Sequence, residues 1–132
     1  MRYSWQKMYI EIAKVVAKRS EDPHTKVGAV LVKDGCIIGV GYNGVPRHCN
    51  YTFDWNTDEK YKYVIHAEMN AIISAARKDM LGATLYLAGW EDGKLLDRAE
   101  PCEICRKLIK NAGIINVINK EEWLWELRMV RS

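Results

Sequence analysis

His66 and Glu68 stand two positions apart, and further along the chain Pro101 leads directly into the pair Cys102 and Cys105. One imidazole and two thiols make a three-ligand zinc set, and a zinc held by three protein ligands keeps a fourth position for water. Such an ion makes water nucleophilic near neutral pH. Glu68 is the right kind of group to carry that water's protons. Taken alone, a histidine or a Cys-x-x-Cys pair reads as a buried side chain, a redox pair or half of a structural zinc site. A structural site would want a fourth protein ligand, and no third cysteine lies nearby to supply it. The open metal position beside a carboxylate points to one catalytic zinc per chain and to hydrolysis.

These residues need a framework that brings distant segments together. At 132 residues the chain reads as a single domain over 1–132, long enough to bury a core without covalent staples. A hydrophobic share of 48% with 28% charged residues is that of an ordinary globular protein. The net charge of +3 is too small and too scattered to argue for a nucleic-acid partner. No apolar run is long enough to cross a membrane, and the N-terminus lacks the apolar core of a signal peptide. The expected location is therefore the cytoplasm, where four cysteines suggest metal ligation over disulfides.

Residues 4–20 read as an amphipathic helix capped by Ser4, broken at Ser20–His24 by Pro23. Two β-branched runs, 27–33 and 36–42, flank Asp34-Gly35, a strong hairpin signal. Their apolar character predicts a sheet covered on both faces. A long irregular connection follows before a helix from His66 to about Lys78, and connections of that length are usually functional. Residues 83–88 form the third predicted strand, 89–98 a polar excursion, 102–111 a helix ended by Gly113, 114–118 a fourth strand, and 121–130 a last helix. The order αββαβαβα predicts an α/β fold, a three-layer αβα sandwich around a mixed sheet of four to five strands. It places His66 at one helix start and both cysteines in the first turn of another. Helix N-termini favour thiolate over thiol, and a spacing of three puts both sulfurs on one helical face.

The order His-x-Glu followed by Pro-Cys-x-x-Cys is a signature of zinc enzymes that deaminate cytosine or adenine rings. The wider sequence resembles the cytidine and deoxycytidylate deaminase superfamily, and within it the deoxycytidylate (dCMP) deaminases. The resemblance is carried by Arg19-Ser-Glu-Asp-Pro23, Lys26-Val-Gly-Ala-Val30, Gly39-Val-Gly-Tyr-Asn-Gly-Val-Pro46, the run from Lys60 to Ile72, and Pro101–Cys105 with Ala112-Gly-Ile114. It implies a cytidine deaminase-like fold whose fifth strand is sought near the C-terminus. It also implies hydrolysis of dCMP to dUMP and ammonia, with Glu68 as the proton shuttle. Asn43 would hold the sugar end of the nucleotide, Val27, Gly28 and Ala29 would line the base pocket, and Ala67 would be a further substrate contact. Arg47, Lys60 and Lys62, and after them Lys26, are candidates for the phosphate, which needs cations or free N–H groups, although each of them reads first as a solvated surface charge. Family members form homo-oligomers from dimers to hexamers, many controlled by dCTP and dTTP, and residues 89–98 would be an insertion near the active-site rim. The alternatives are a tRNA adenosine deaminase or another nucleoside or nucleobase deaminase of the same superfamily, such as a free-nucleoside cytidine deaminase, and, from a different class, a silent zinc-stabilised nucleotide sensor. Intact Glu68 argues against the sensor. Cys36, Cys49, His24 and His48 show no persuasive spacing for a second metal.

Overall fold

The structure, a computed structural model, describes residues 2–120. Ser4 opens helix α1 (Trp5–Ala17) by accepting a hydrogen bond from the Lys7 N–H at 3.1 Å. Strands β1 (Thr25–Lys33) and β2 (Cys36–Tyr42) follow as an antiparallel hairpin. Asp34 and Gly35 form its two-residue turn, with φ of 51° and 77°, the positive values that such turns demand.

β3 (Thr84–Glu91) lies antiparallel along the other side of β1. Its outer edge carries two short strands: β4 (Lys94–Leu95), antiparallel, and β5 (Asn116–Ile118), parallel. The sheet is thus mixed and, among the described residues, five-stranded. Among the described residues the strand missing from the expected set lies inside residues 89–98, where Asp92-Gly93 repeats the turn chemistry of the first hairpin with φ of 49° and 81°. The expected excursion is therefore a β-hairpin. The predicted helix over 121–130 lies outside the described residues.

Side chains alternate across a strand, and β1 and β3 divide accordingly. Val30, Val32, Tyr86 and Ala88 pack with Tyr9, Ile10 and Ala13 of α1. Ala29, Leu31, Leu85 and Leu87 face the opposite core with α2 (Ala67–Ile73) and α4 (Glu103–Asn111). This gives the three layers. β2 departs from the expectation of a sheet covered on both faces, because it is an edge strand and leaves Ile37 and Val40 exposed.

Two glycines set the helix distances. A Cβ on Gly28 would lie 2.1 Å from the Ala13 carbonyl oxygen, and one on Gly41 would lie 2.3 Å from the Ala71 nitrogen. α1 and α2 therefore rest directly on strand backbone. The helix predicted over 66–78 is shorter than expected. It ends at Ile73, where the Ser74 hydroxyl bonds the Ala71 carbonyl at 2.7 Å, a local alternative to helical continuation. A separate turn of helix, α3 (Arg77–Met80), follows. No helix among the described residues is long and apolar enough to cross a membrane.

Candidate metal centre and active site

The connection after β2 is anchored where it meets α2. Ile65 N–H bonds the Gly44 carbonyl at 2.8 Å, and Gly44 N–H bonds the Ile65 carbonyl at 3.1 Å. The next residue, His66, is the extended N-cap of α2. Cys102 plays the same part for α4, its sulfur accepting the Cys105 N–H at 3.5 Å. His66 and Cys102 thus stand one step before their helices.

His66 Nδ1 lies 3.5 Å from Cys102 Sγ and 3.3 Å from Cys105 Sγ, and the three donor atoms lie within 4.8 Å of one another. Tetrahedral zinc, with bonds of about 2.3 Å to sulfur and 2.0–2.1 Å to nitrogen, separates such donors by roughly 3.6 Å. The residues fit the ion. Cys105 is fully buried. Burial first, then the Glu68 carboxylate, pushes its thiol far above the ordinary value. Within the protein alone, then, desolvation outweighs the helix terminus that the sequence had suggested would favour thiolate. A divalent cation reverses that balance by taking the place of the proton.

Glu68 is the second residue of α2 and is only 5% exposed. Burial pushes its carboxyl upward, while its own backbone N–H, His66 and Cys105 pull the other way without cancelling the rise. A cavity of about 310 Å³ opens at the centre, lined by His66, Glu68 and Cys102 together with Val27, Asn43, Ala67 and Lys60.

Other expected contacts lie elsewhere. Gly28 points to the α1 side of β1, as strand alternation requires, and Ala29 is fully buried in the core beneath α2. Arg47 lines a different cavity of about 440 Å³ beside β2 and α2. Asn43 Oδ1 accepts the Val27 N–H and its Nδ2 donates to the Thr25 carbonyl, both at 2.8 Å. One N–H and one lone pair of the amide remain for a ligand.

Sequence reasoning missed Asp22, Thr25, Tyr61, Leu96, Ala99 and Glu100 in the lining. Of these, Asp22 and Tyr61 stood within motifs that had been singled out. The supposed insertion supplies a wall: Leu96 folds back, its N–H bonding the Gly89 carbonyl at 2.8 Å. Among the described residues, His66, Cys102 and Cys105 are the one group of three or more placed for a metal. His24 instead bonds Asp92 at 3.0 Å and Asn56.

Comparison with known proteins agrees with this centre. Residues 3–120 match the cytidine and deoxycytidylate deaminase zinc-binding region. Human deoxycytidylate deaminase is 38% identical over 122 residues, covering 86% of this chain and 63% of the relative. The chain thus spans a little under two thirds of that protein's length. The deoxycytidylate deaminase of Mycobacterium phage D29 is 33% identical, covering 92% of this chain and 98% of the relative. Among solved structures, the dCMP deaminase of cyanophage S-TIM5 in complex with dCMP and dUMP superposes with a TM-score of 0.68 at 28% identity, covering 89% of this chain and 81% of that one.

Proposed function

From the premise that this chain belongs to the cytidine and deoxycytidylate deaminase zinc-binding family, we propose that it hydrolyses dCMP to dUMP and ammonia. The observation that carries the reading is the meeting of a three-donor metal set and a buried carboxylate on one cavity. The named relatives and the dCMP- and dUMP-bound neighbour support the choice of substrate.

Bound zinc supplies the Lewis acidity that makes water reactive at neutral pH. The chain's own residues do the rest. Val27 and Ala67 flank the base, and Asn43 offers its remaining donor and acceptor to the sugar. Glu68 takes a proton from the attacking water and hands it to the ring nitrogen beside the amino-bearing carbon. It then carries a second proton to the departing amine. A C–O bond forms, the exocyclic C–N bond breaks, and one water is consumed for each ammonia released. Burial keeps Glu68 ready to hold the proton between these transfers.

The same reading makes the protein a cytoplasmic homo-oligomer, between dimer and hexamer. The exposed apolar residues Ile37, Val40 and Ile73 offer contact surface.

The test is ammonia release from dCMP, deoxycytidine, CMP and adenosine-containing tRNA, with and without a chelator. Turnover of dCMP that stops on chelation and returns with zinc is expected. Deoxycytidine turned over as well as dCMP would overturn the nucleotide reading.

A further inference from the structure

Three segments that wall the cavity meet at one imidazole outside it. His24 stands between the lining residues Asp22 and Thr25. Asn56 lies in the long connection, two residues before the 3-10 turn Asp58–Lys62 that brings Tyr61 to the lining. Asp92 is at the turn of the hairpin that brings Leu96. His24 Nδ1 lies 3.0 Å from Asp92 Oδ1, and its Nε2 meets Asn56 Oδ1. The two sides of this junction are not held alike. The hairpin has a second tie, because Asp92 N–H bonds the His24 carbonyl at 2.7 Å. Around Asn56 the connection bonds to itself. Asn56 N–H donates to Asp54 Oδ1 and the Thr57 hydroxyl to the Asp54 carbonyl, each at 2.9 Å, while the Phe53 ring packs on Trp55 and Tyr63.

We infer that His24 is a positioning residue whose doubly protonated ring fastens the connection over residues 54–62 to the β3–β4 hairpin, holding two walls of the cavity together and slowing the exchange of its ligand. That the ligand is a nucleotide rests on the function proposed above; the fastening does not. Both partners present an oxygen to the ring, so satisfying both calls for an N–H on each nitrogen. A neutral imidazole has only one, and the carboxylate, the stronger acceptor, keeps it. The connection is therefore the side set free. The charges around the ring are Asp92 from the hairpin, Asp54 from the connection, and Asp22 from its own segment, which Lys60 Nζ pairs at 3.0 Å. The bonds to Asn56 and then to Asp92 hold the imidazole above its ordinary 6.5. A raised folded value means that the fastening is fully present below 6.5 and is lost as pH rises through the raised value.

The experiment is amide hydrogen exchange of the zinc-loaded full chain, read by mass spectrometry at about pH 5.5 and about pH 8.5 and corrected for the intrinsic pH dependence of exchange. In the parent, peptides spanning 54–62 are expected to exchange about two- to five-fold faster at the higher pH, the worth of one exposed charged hydrogen bond. Peptides spanning 89–97 change less. His24→Gln, which takes up no proton, exchanges at the parent's higher-pH level at both values. Asn56→Ala does the same with the imidazole intact. Steady-state kinetics give a second readout. KM for dCMP in His24→Gln exceeds the parent's by a similar factor at the lower pH and matches it at the higher, with kcat unmoved, because His24 does not line the cavity.

A parent whose exchange over 54–62 follows the intrinsic rate alone overturns the assignment; an Asn56 amide turned to offer its nitrogen to a neutral ring produces that result. So does a pH dependence that survives in either variant. A KM ratio equal at both pH values overturns the effect on ligand exchange. If dCMP yields no ammonia while the exchange pattern holds, the catalytic reading falls and the fastening stands. If dCMP is deaminated while 54–62 exchanges alike in the parent and His24→Gln, the fastening falls alone.

Discussion

Glu68 occupies a place where a carboxylate is poorly solvated, and on the proposed function that is what suits it to hold a proton for part of a reaction cycle. Glu68→Gln keeps the shape and loses the base. The variant is expected to retain stoichiometric zinc by elemental analysis while kcat falls by about 10²–10⁴-fold. Asp22 shows the opposite balance. Burial raises its carboxyl, but hydrogen bonds from His24, Lys60 and Thr25 outweigh that and hold it below the ordinary 3.8. A folded value below the unfolded one means that the stabilisation is fully present above 3.8 and is lost as pH falls through the depressed value. Urea unfolding at stepped pH should therefore show Asp22→Asn weaker than the parent at pH near 7. The gap should close on acidification past 3.8. A gap that stayed constant to acid pH would show that the carboxylate's charge contributes nothing.

At the scale of elements, the site depends on how closely helices lie on the sheet. A Cβ on Gly41 would stand 2.3 Å from the Ala71 nitrogen and 2.6 Å from the Ala67 carbonyl, both backbone atoms of the helix that bears Glu68. Gly41→Ala must displace α2. It is expected to lower stability by about 1–3 kcal/mol in chemical denaturation, and to weaken zinc retention, because His66 leads into the same helix. The hairpins illustrate what was legible. Asp34-Gly35 between two apolar runs was enough to place β1 and β2, since the turn's positive φ values select those residues. Asp92-Gly93 carried the same signal with nearly the same angles. It was read as an excursion because β4 is only two residues long and exposed, too short for any alternation to register.

Across the whole molecule, the metal set joins segments that the chain keeps apart, with His66 before α2 and the cysteines at the start of α4. An ion bound only by the folded state stabilises it by mass action. Chelation should lower the melting temperature by several degrees, with recovery on adding zinc, and an unchanged melting curve would show that the ion is not shared between these helices. The exposed apolar residues Ile37 and Val40 of the edge strand β2, with Ile73 of α2, lead to the expectation that the mass by light scattering is a multiple of the 15.2 kDa chain. A monomer at working concentration would remove the oligomeric part of the reading.

The metal donors, the carboxylate and the αβα layering follow from the chain alone. Short-range rules govern them: ligand chemistry is fixed by residue type, Cys-x-x-Cys brings two sulfurs to one turn, and apolar periods of two and near four separate strand from helix. Which residues share a cavity did not follow, because that depends on which way a strand's side chains face and on where distant loops return. Val27 looks into the cavity while Gly28 turns to α1 and Ala29 goes under α2. Arg47 passes to a second cavity, and Leu96 arrives by a hairpin that pairs with β3. The meeting of Asp22 with Lys60, 38 positions apart, is likewise a contact that only the packed sheet and its loops could make.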